Sequence, residues 1–149
     1  MIYKDIELKD ISMIKELWEK NRRYHECTSK YFSSDYSDLI FEERMAFLKE
    51  IDPNSIKITV AFSDEKAVGY CISIKSETES EAEMLSLHVD KKFRGKGIGR
   101  ELSNNHIKWF KENECEHINV VVSQENYNTI EFYKSLGFLP NTLSMKCKV

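Results

Sequence analysis

The sequence predicts a single mixed α/β domain, and three observations support this fold class. Apolar runs with the two-residue period of a half-buried strand alternate along the chain with segments that have the period of an amphipathic helix. A glycine-rich turn at residues 94–100 joins one such strand to one such helix. The length, residues 1–149, is that of one domain with one substantial core. The expected order is β-α-α-β-β-β-α-β-α-β, or a final β-β pair if Pro140 splits the last strand.

The first third of the chain is expected to hold one strand followed by two helices. Apolar residues alternate over 2–8, which predicts a strand. Asp10 is placed to cap a helix whose apolar residues keep helical spacing to about His25. Residues 27–37 lack periodicity and predict a loop. Residues 38–51 predict a second helix, which a proline then ends.

The middle of the chain predicts a hairpin and the strand that leads into the glycine-rich turn. The β-rich runs 56–62 and 67–74 are separated by four polar residues, which is typical of a hairpin. Gly69 lies inside the second run and indicates a bulge or a close backbone approach. A polar loop at 76–81 follows, and the alternation over 83–89 predicts the next strand.

After the turn, a helix, a strand, a second helix and a closing strand are expected. The helix runs over 98–113, and the continuous apolar run 118–122 predicts a buried strand. Asn126 can cap the last helix and Gly137 can end it. Residues 138–149 have strand character.

Composition excludes several classes of function. Hydrophobic residues make up 41% and charged residues 32%, and the charge sum is 22 − 25 = −3, so no nucleic-acid surface is indicated. No apolar run approaches the roughly 20 residues of a membrane span, and the N-terminus lacks the apolar core of a signal peptide. We therefore expect a cytoplasmic protein without membrane contact. The four cysteines have no CxxC pair and are expected to be reduced thiols, and the His/Cys clusters at 25–27 and 115–117 are too irregular to predict a zinc site, so no metal is expected.

The glycine-rich turn has the composition of an anion site. The first turn of a helix leaves N–H groups without partners at the positive end of the helix dipole, where phosphate oxygens bind. The three glycines tolerate positive φ and remove Cβ atoms, and three basic side chains add positive charge. A Walker A loop would need Ser or Thr after Gly-Lys, but Gly97 follows Lys96, and the spacing G-x-G-x-G departs from the dinucleotide fingerprint. A tight connection without a ligand is the alternative explanation.

Two motifs in order resemble those of the GNAT superfamily of N-acyltransferases. The first, similar to that family's acyl-CoA pyrophosphate loop, is Arg94-x-x-Gly97-x-Gly99, preceded by Leu87-His88-Val89-Asp90 and Phe93. The second, similar to the family's asparagine-to-FYxxxGF segment, is Asn126-x-x-Thr129-x-x-Phe132-Tyr133-x-x-x-Gly137-Phe138. Thr129 departs from the usual alanine, and a small β-branched residue should still fit a helix face. The resemblance covers the C-terminal half well and the N-terminal half by element order.

The resemblance implies a central mixed, mostly antiparallel sheet flanked by helices, with strands 4 and 5 splayed apart. It implies acetyl-CoA as co-substrate, with its pantetheine arm between those strands and its pyrophosphate on the main chain of the turn. A backbone N–H near Leu87 or His88 would polarise the thioester carbonyl. The cofactor-binding residues that it implies are Leu87, His88, Val89, Arg94, Gly95, Lys96, Gly97, Ile98, Gly99, Arg100, Asn126 and Tyr133.

The resemblance also implies two catalytic residues. Tyr133 stands where the family places a phenol near the cofactor sulfur, and a phenol with a pKa of about 10 can donate a proton to a thiolate. Glu83 matches the base glutamate of the histone-acetylating branch and would act directly or through water, on the same strand face as Leu85 and Leu87. His88 is a rival base that alternation points to the opposite face unless a bulge intervenes. Alternatively, Glu83 is an exposed carboxylate and Tyr133 a core residue.

The acceptor is expected between the first two helices and the loop that joins them. Tyr24, His25, Tyr31 and Phe32 would give this region an aromatic, weakly polar lining, unless they serve ordinary packing. With Glu26, Asp35 or Asp38 nearby, such a lining would suit a primary amine cation. The expected function is direct transfer of acetyl from acetyl-CoA to an amine of a small molecule or protein. A non-catalytic acyl-CoA-binding regulatory module and a nucleotide-binding protein remain as alternatives. The amine and the oligomeric state, with a homodimer among the options, are left open.

Overall fold

Five strands and five α-helices make up the structure, a computed structural model that describes residues 1–149. The strands are β1 Ile2–Asp5, β2 Ile56–Ser63, β3 Lys66–Lys75, β4 Glu81–Val89 and β5 His117–Asn119. The α-helices are α1 Lys15–Thr28, α2 Ser34–Ser37, α3 Phe41–Ala46, α4 Ile98–Glu112 and α5 Tyr127–Ser135. Short 3₁₀ segments cover Leu8–Ile14, Phe47–Glu50, Pro53–Ser55 and Lys91–Phe93. None of the helices combines the length and the apolarity of a bilayer-spanning segment.

All five strands form one sheet in the order β1-β2-β3-β4-β5, and neighbours are antiparallel except β4 and β5. One face carries a core, called the first core here, that includes Trp18 of α1 and Phe41 of α3. The other face carries the second core, which includes Leu102 of α4 and Tyr133 of α5. This confirms the predicted mixed, mostly antiparallel sheet flanked by helices.

A bulge in β4 decides which side chains reach each face of the sheet. Ile72 of β3 pairs with Ser86, but the next residue, Ser73, pairs with Met84, so Leu85 is an extra residue without a partner. Side chains alternate between the two faces of a sheet, and an extra residue shifts this alternation by one position. Side chains before and after the bulge are therefore on other faces, relative to each other, than strict alternation predicts.

The bulge overturns the expectation that Glu83 shares a face with Leu87. Glu83 pairs with Ile74 and His88 pairs with Tyr70, and both partners belong to the first core or pack against it. Glu83 and His88 therefore share one face with Leu85, which packs against the first core as expected, whereas Leu87 packs against the second core. His88 is thus not turned away from Glu83, because the bulge lies between the two residues.

The segment after β1 differs from the predicted strand and helix. β1 ends at Asp5, and the next residues form a 3₁₀ helix in which Leu8, Ile11 and Ile14 recur every three residues, the period of that helix. All three contact the first core. The prediction that Asp10 caps a helix is wrong, because Asp10 lies inside this segment and no side chain caps its start.

The helices of the acceptor region also have other bounds than predicted. α1 continues past His25 to Thr28, whose hydroxyl donates to Tyr24 O at 2.9 Å and supports the last turn. The predicted loop contains the one-turn helix α2. The second predicted helix, 38–51, is shorter and divides into α3 and a 3₁₀ turn, where Phe41 and Leu48 enter the core.

The hairpin is confirmed. Its turn residues Asp64 and Glu65 have φ values of 47° and 65°, as a type I′ turn requires. Gly69 marks both a bulge and a close approach, because the β2–β3 register shifts beside it and a Cβ there would lie 3.2 Å from His88 O and 3.4 Å from Ile98 Cγ2.

The last two helices form as predicted, the strand between them forms only in part, and the closing strand does not form. Asn126 Oδ1 accepts from Thr129 N–H at 3.3 Å at the start of α5, and Gly137, with φ of 96°, follows its end. β5 ends at Asn119 and Val121 is 89% exposed, so the predicted buried strand 118–122 is wrong beyond that point. Residues 136–149 form no strand. Apolar alternation makes a strand only where a neighbour offers hydrogen bonds, and no neighbouring strand pairs with this segment.

A buried polar chain ties α4 to the sheet. The imidazole of His106 is fully buried, with Nδ1 2.7 Å from Ser73 Oγ and Nε2 2.9 Å from Thr59 Oγ1. Thr59 in turn donates to a carboxylate oxygen of Asp5. Burial, and secondarily the charge of Lys57, lowers the pKa of His106 to about 3, so the imidazole is neutral in the folded protein at neutral pH.

We expect the protein to lose stability as the pH falls from about 6.5 toward 3, because in this window the unfolded chain binds a proton at His106 that the folded chain does not. His106 alone should lower the free energy of unfolding by about 2 kcal/mol between pH 6.5 and 4.5. Urea unfolding at the two pH values measures this. A His106→Gln variant should show a smaller pH dependence, and an equal dependence in both proteins would contradict the prediction.

Candidate active site

A cavity of about 530 Å³ passes through the sheet where β4 and β5 part. β4 lines it over residues 84–89, and residues 121–123, which follow β5, line the opposite wall. The lining includes Tyr133 from the side of the second core and His88 from the side of the first core. The cavity therefore connects the two faces of the sheet, so that a ligand held beside α4 can reach a partner held beside α1.

Beyond Glu83, the main chain of β4 pairs with no other strand on the side that faces this cavity. Only Glu81–Glu83 pair with β5. Toward β3, Asp90 N–H donates to Val68 O at 2.8 Å. Because backbone groups alternate in direction along a strand, those of Leu87 and Val89 point away from β3. This confirms the splayed strands and exposes a row of backbone donors and acceptors to the cavity.

The glycine-rich turn has the predicted conformation. Gly95 and Gly97 have φ values of 76° and 80°, and a Cβ at either would meet no atom within 4 Å. None of the six N–H groups from Gly95 to Arg100 donates to an acceptor in the protein, and the helical ladder of α4 begins with Glu101 N–H donating to Gly97 O at 3.0 Å. The N-terminus of a 15-residue helix thus offers free amides to an anion.

The basic side chains of the turn have neutral partners. Arg94 Nε donates to Val89 O at 2.9 Å, and Arg100 Nη2 donates to Ser135 Oγ at 2.8 Å. Lys96 lies beside the ring of Phe93 and does not line the cavity. Because no carboxylate neutralises these three side chains, their charge is available to phosphate groups around the free amides.

Tyr133 lies in the wall of the cavity on α5. Its side chain is buried, with 7% exposed, and its hydroxyl has one weak partner, Met84 Sδ at 4.0 Å. Burial raises the pKa of Tyr133, so the phenol stays protonated at neutral pH. A protonated hydroxyl without a strong acceptor is suited to donate a proton to a group that enters the cavity.

Two side chains close the cavity beside the start of α5. Asn126 Oδ1, which caps that helix, also accepts from Tyr24 OH at 3.4 Å. The ring of Tyr24 lies 5.8 Å from the guanidinium carbon of Arg94. The end of α1 is thereby connected to both predicted cofactor-binding motifs.

His88 and Glu83 occupy different places relative to the cavity. His88 lines it and is buried, and burial, followed by the charge of Arg94, lowers the pKa of His88 to about 4. Glu83 lies half-buried on the same strand face, has no hydrogen bond or ion pair, and does not line the cavity. Glu83 can therefore exchange a proton with a bound molecule only through an intervening group or water.

The predicted acceptor residues divide into two pairs. Tyr24 and His25 line the cavity. Tyr31, 63% exposed, and Phe32 do not line it. Sequence reasoning missed four polar lining residues, Asn21 and Ser86 on the side of α1 and Ser123 and Asn128 near the start of α5. Asn21 could have been found from its helical spacing of three and four residues to Tyr24 and His25, whereas Ser86 depends on the bulge in β4.

These features fit coenzyme A. Its diphosphate is an anion, and free amides with uncompensated basic side chains stand at the start of α4. Its pantetheine arm carries amide groups, and the free edge of β4 offers them backbone partners. The cavity through the sheet can then lead the thiol end from the side of α4 to the side of α1.

Comparison with known proteins agrees with this geometry. Residues 13–138 match the model of the Acetyltransferase (GNAT) family. A stretch of 62 residues is 42% identical to an uncharacterized N-acetyltransferase of Methanocaldococcus jannaschii. The match covers 42% of this chain and 27% of that relative, so the chain spans about a quarter of the relative's length.

Solved structures have the same fold. The tetramutant of the BH1408 protein from Bacillus halodurans matches with a TM-score of 0.78 at 20% identity, and the match covers 100% of each chain. The aminoglycoside N-acetyltransferase AAC(6')-Iy in complex with CoA has a TM-score of 0.70 at 13% identity, covering 99% of this chain and 98% of its own. At these identities the solved structures show the fold alone.

Proposed function

The chain belongs to the GNAT acetyltransferase family, and from this premise we propose that it transfers the acetyl group of acetyl-CoA directly to an amine on a small molecule or a protein. The observation that carries the proposal is the row of unpartnered amides from Gly95 to Arg100 beside a cavity that opens through the sheet. A cytoplasmic location stays a prediction of the sequence, and a homodimer stays one option for the oligomeric state.

The main chain holds the co-substrate along its whole length. The amides of residues 95–100 bind the diphosphate with Arg94, Lys96 and Arg100 around it, and the backbone groups of Leu87 together with the N–H of Val89 bind the arm. Acetyl-CoA supplies the acetyl group as a thioester. The N–H of Leu87, directed into the cavity, is placed to stabilise negative charge on the acetyl oxygen, a contribution of about 3 kcal/mol for one preorganised donor.

Tyr133 is the proposed general acid. As the acceptor nitrogen bonds to the acetyl carbon and the carbon–sulfur bond breaks, Tyr133 gives its phenolic proton to the departing sulfur and regains one from solvent. Its raised pKa and weakly bonded hydroxyl support this role. The acceptor nitrogen loses its proton on the side of the first core, where Glu83 and His88 lie.

Glu83 is the proposed base, acting through water. Glu83→Gln should lower kcat/KM for the amine about 10-fold to 100-fold at pH 7 and by less at pH 9, because more of the amine is then already deprotonated. A pH–rate profile measures this. The matched control is Glu81→Gln on the same strand, since the carboxylate of Glu81 accepts from Asn119 Nδ2 at 2.8 Å, whereas the carboxylate of Glu83 has no hydrogen-bond partner. Equal losses in the two variants would refute the role of Glu83.

The proposal as a whole is tested by calorimetry and product analysis. CoA should bind the protein, and acetyl-CoA with a panel of amines should release thiol and give an acetylated amine that mass spectrometry identifies. Absence of CoA binding would refute both the site and the function. Binding of CoA without transfer to any amine would refute the transferase and leave a binding module.

A further inference from the structure

The cavity wall has no acidic side chain. Two of its residues, Arg94 and Arg100, are cations, and none of the others is Asp or Glu. On the acceptor side the polar wall residues are Asn21, Tyr24, His25, Ser86 and His88. Burial lowers the pKa of both histidines, so this wall is uncharged at neutral pH.

Several carboxylates lie within two sequence positions of a wall residue, and all of them except Glu83 and Glu101 already have a hydrogen-bond or ion-pair partner. Glu19 and Glu26 pair with Arg22, Asp90 pairs with Lys20, Glu131 pairs with Lys134, and Glu125 accepts from Ser123. Glu101 lies beside Tyr3 of β1, at the far edge of the sheet. Glu83 is therefore the single free carboxylate on the acceptor face of β4.

Building on the acetyl transfer proposed above, we propose that the acceptor is a primary amine with one basic nitrogen and an otherwise uncharged, apolar or aromatic body. Glu83 serves the one nitrogen that reacts. A second ammonium group would leave water for a wall that offers no counter-charge, and a buried unpaired charge is strongly unfavourable. Polyamines and aminoglycosides are thereby disfavoured, and the rings of Tyr24 and His25 provide flat contact surface for an uncharged body.

A matched pair of amines tests this directly. Butylamine and 1,4-diaminobutane have the same chain and differ by one amino group, and 2-phenylethylamine adds an aromatic body. We expect kcat/KM to be at least about 10-fold higher for butylamine than for the diamine, and highest for 2-phenylethylamine. A diamine or sisomicin that is acetylated as well as butylamine overturns the proposal while leaving the transferase intact.

A second test changes the charge of the wall instead of the charge of the amine. Asn21→Asp keeps the shape of the side chain and adds a carboxylate to the acceptor side, so it should shift the ratio of kcat/KM toward the diamine about fivefold or more. Asn21→Leu, which adds no charge, is the control and should not shift the ratio in that direction. An unchanged ratio in Asn21→Asp overturns the assignment of selectivity to the uncharged wall.

Binding separates this selectivity from the chemistry. Titration of each amine into the CoA-saturated protein should show tighter binding of 2-phenylethylamine and butylamine than of the diamine, whether or not turnover occurs. If the binding order holds but no product forms, the transferase fails and the selectivity of the wall stands. If the diamine binds as tightly as butylamine, the selectivity fails.

Discussion

The Tyr133→Phe variant is expected to lose about 100-fold in kcat for acetyl transfer while its Kd for CoA stays within about twofold of the parent value. The change removes one hydroxyl whose single hydrogen-bond partner is the Met84 sulfur at 4.0 Å and leaves the ring in place, so neither the packing nor the cofactor contacts of the ring should suffer. The departing sulfur would then leave without a proton donor. Thiol release under saturating amine measures kcat, and calorimetry measures Kd.

Tyr127→Phe is the matched control for this prediction, because Tyr127 lies on the same helix with its ring exposed and outside the cavity. It should turn over at the parent rate. A parent-like kcat in Tyr133→Phe would exclude the phenol as the acid. A parallel loss of CoA affinity would instead make Tyr133 a binding residue.

Gly97→Asp is expected to weaken CoA binding by at least about 10-fold, because a carboxylate would face the diphosphate at the N-terminus of α4. Gly97 has φ of 80° and open space at its Cβ position, and Asp tolerates this conformation better than most residues. The fold should therefore be retained, which a thermal unfolding midpoint within a few degrees of the parent would show. Calorimetric titration with CoA measures the loss.

Gly97→Asn has nearly the same shape without the charge and separates repulsion from steric blocking. We expect its Kd for CoA to lie between those of the parent and of Gly97→Asp. If both variants bind CoA like the parent, the diphosphate does not sit on this turn, and the cofactor site proposed here is wrong.

Features that depend on neighbours in the chain could be predicted from the sequence. The turn at Gly95 and Gly97, which connects β4 to α4, is such a feature, because positive φ values and the start of a helix are local properties. The cap by Asn126 and the hairpin of β2 and β3 are others, each set by residues a few positions apart. The same local rules failed at Leu8–Ile14, where a three-residue period produced a 3₁₀ helix.

The sequence by itself determined the order of the main elements, the glycine turn and the two motifs that indicate an acyl-CoA site. Only the tertiary structure decided that Leu85 is an extra residue in β4, which brings Glu83 and His88 to one face and Ser86 into the cavity wall. It also decided that Tyr24 closes the cavity against Asn126 while Tyr31 lies outside it. The physical reason is that strand register and wall composition depend on partners distant in the chain, whose pairing no local periodicity encodes.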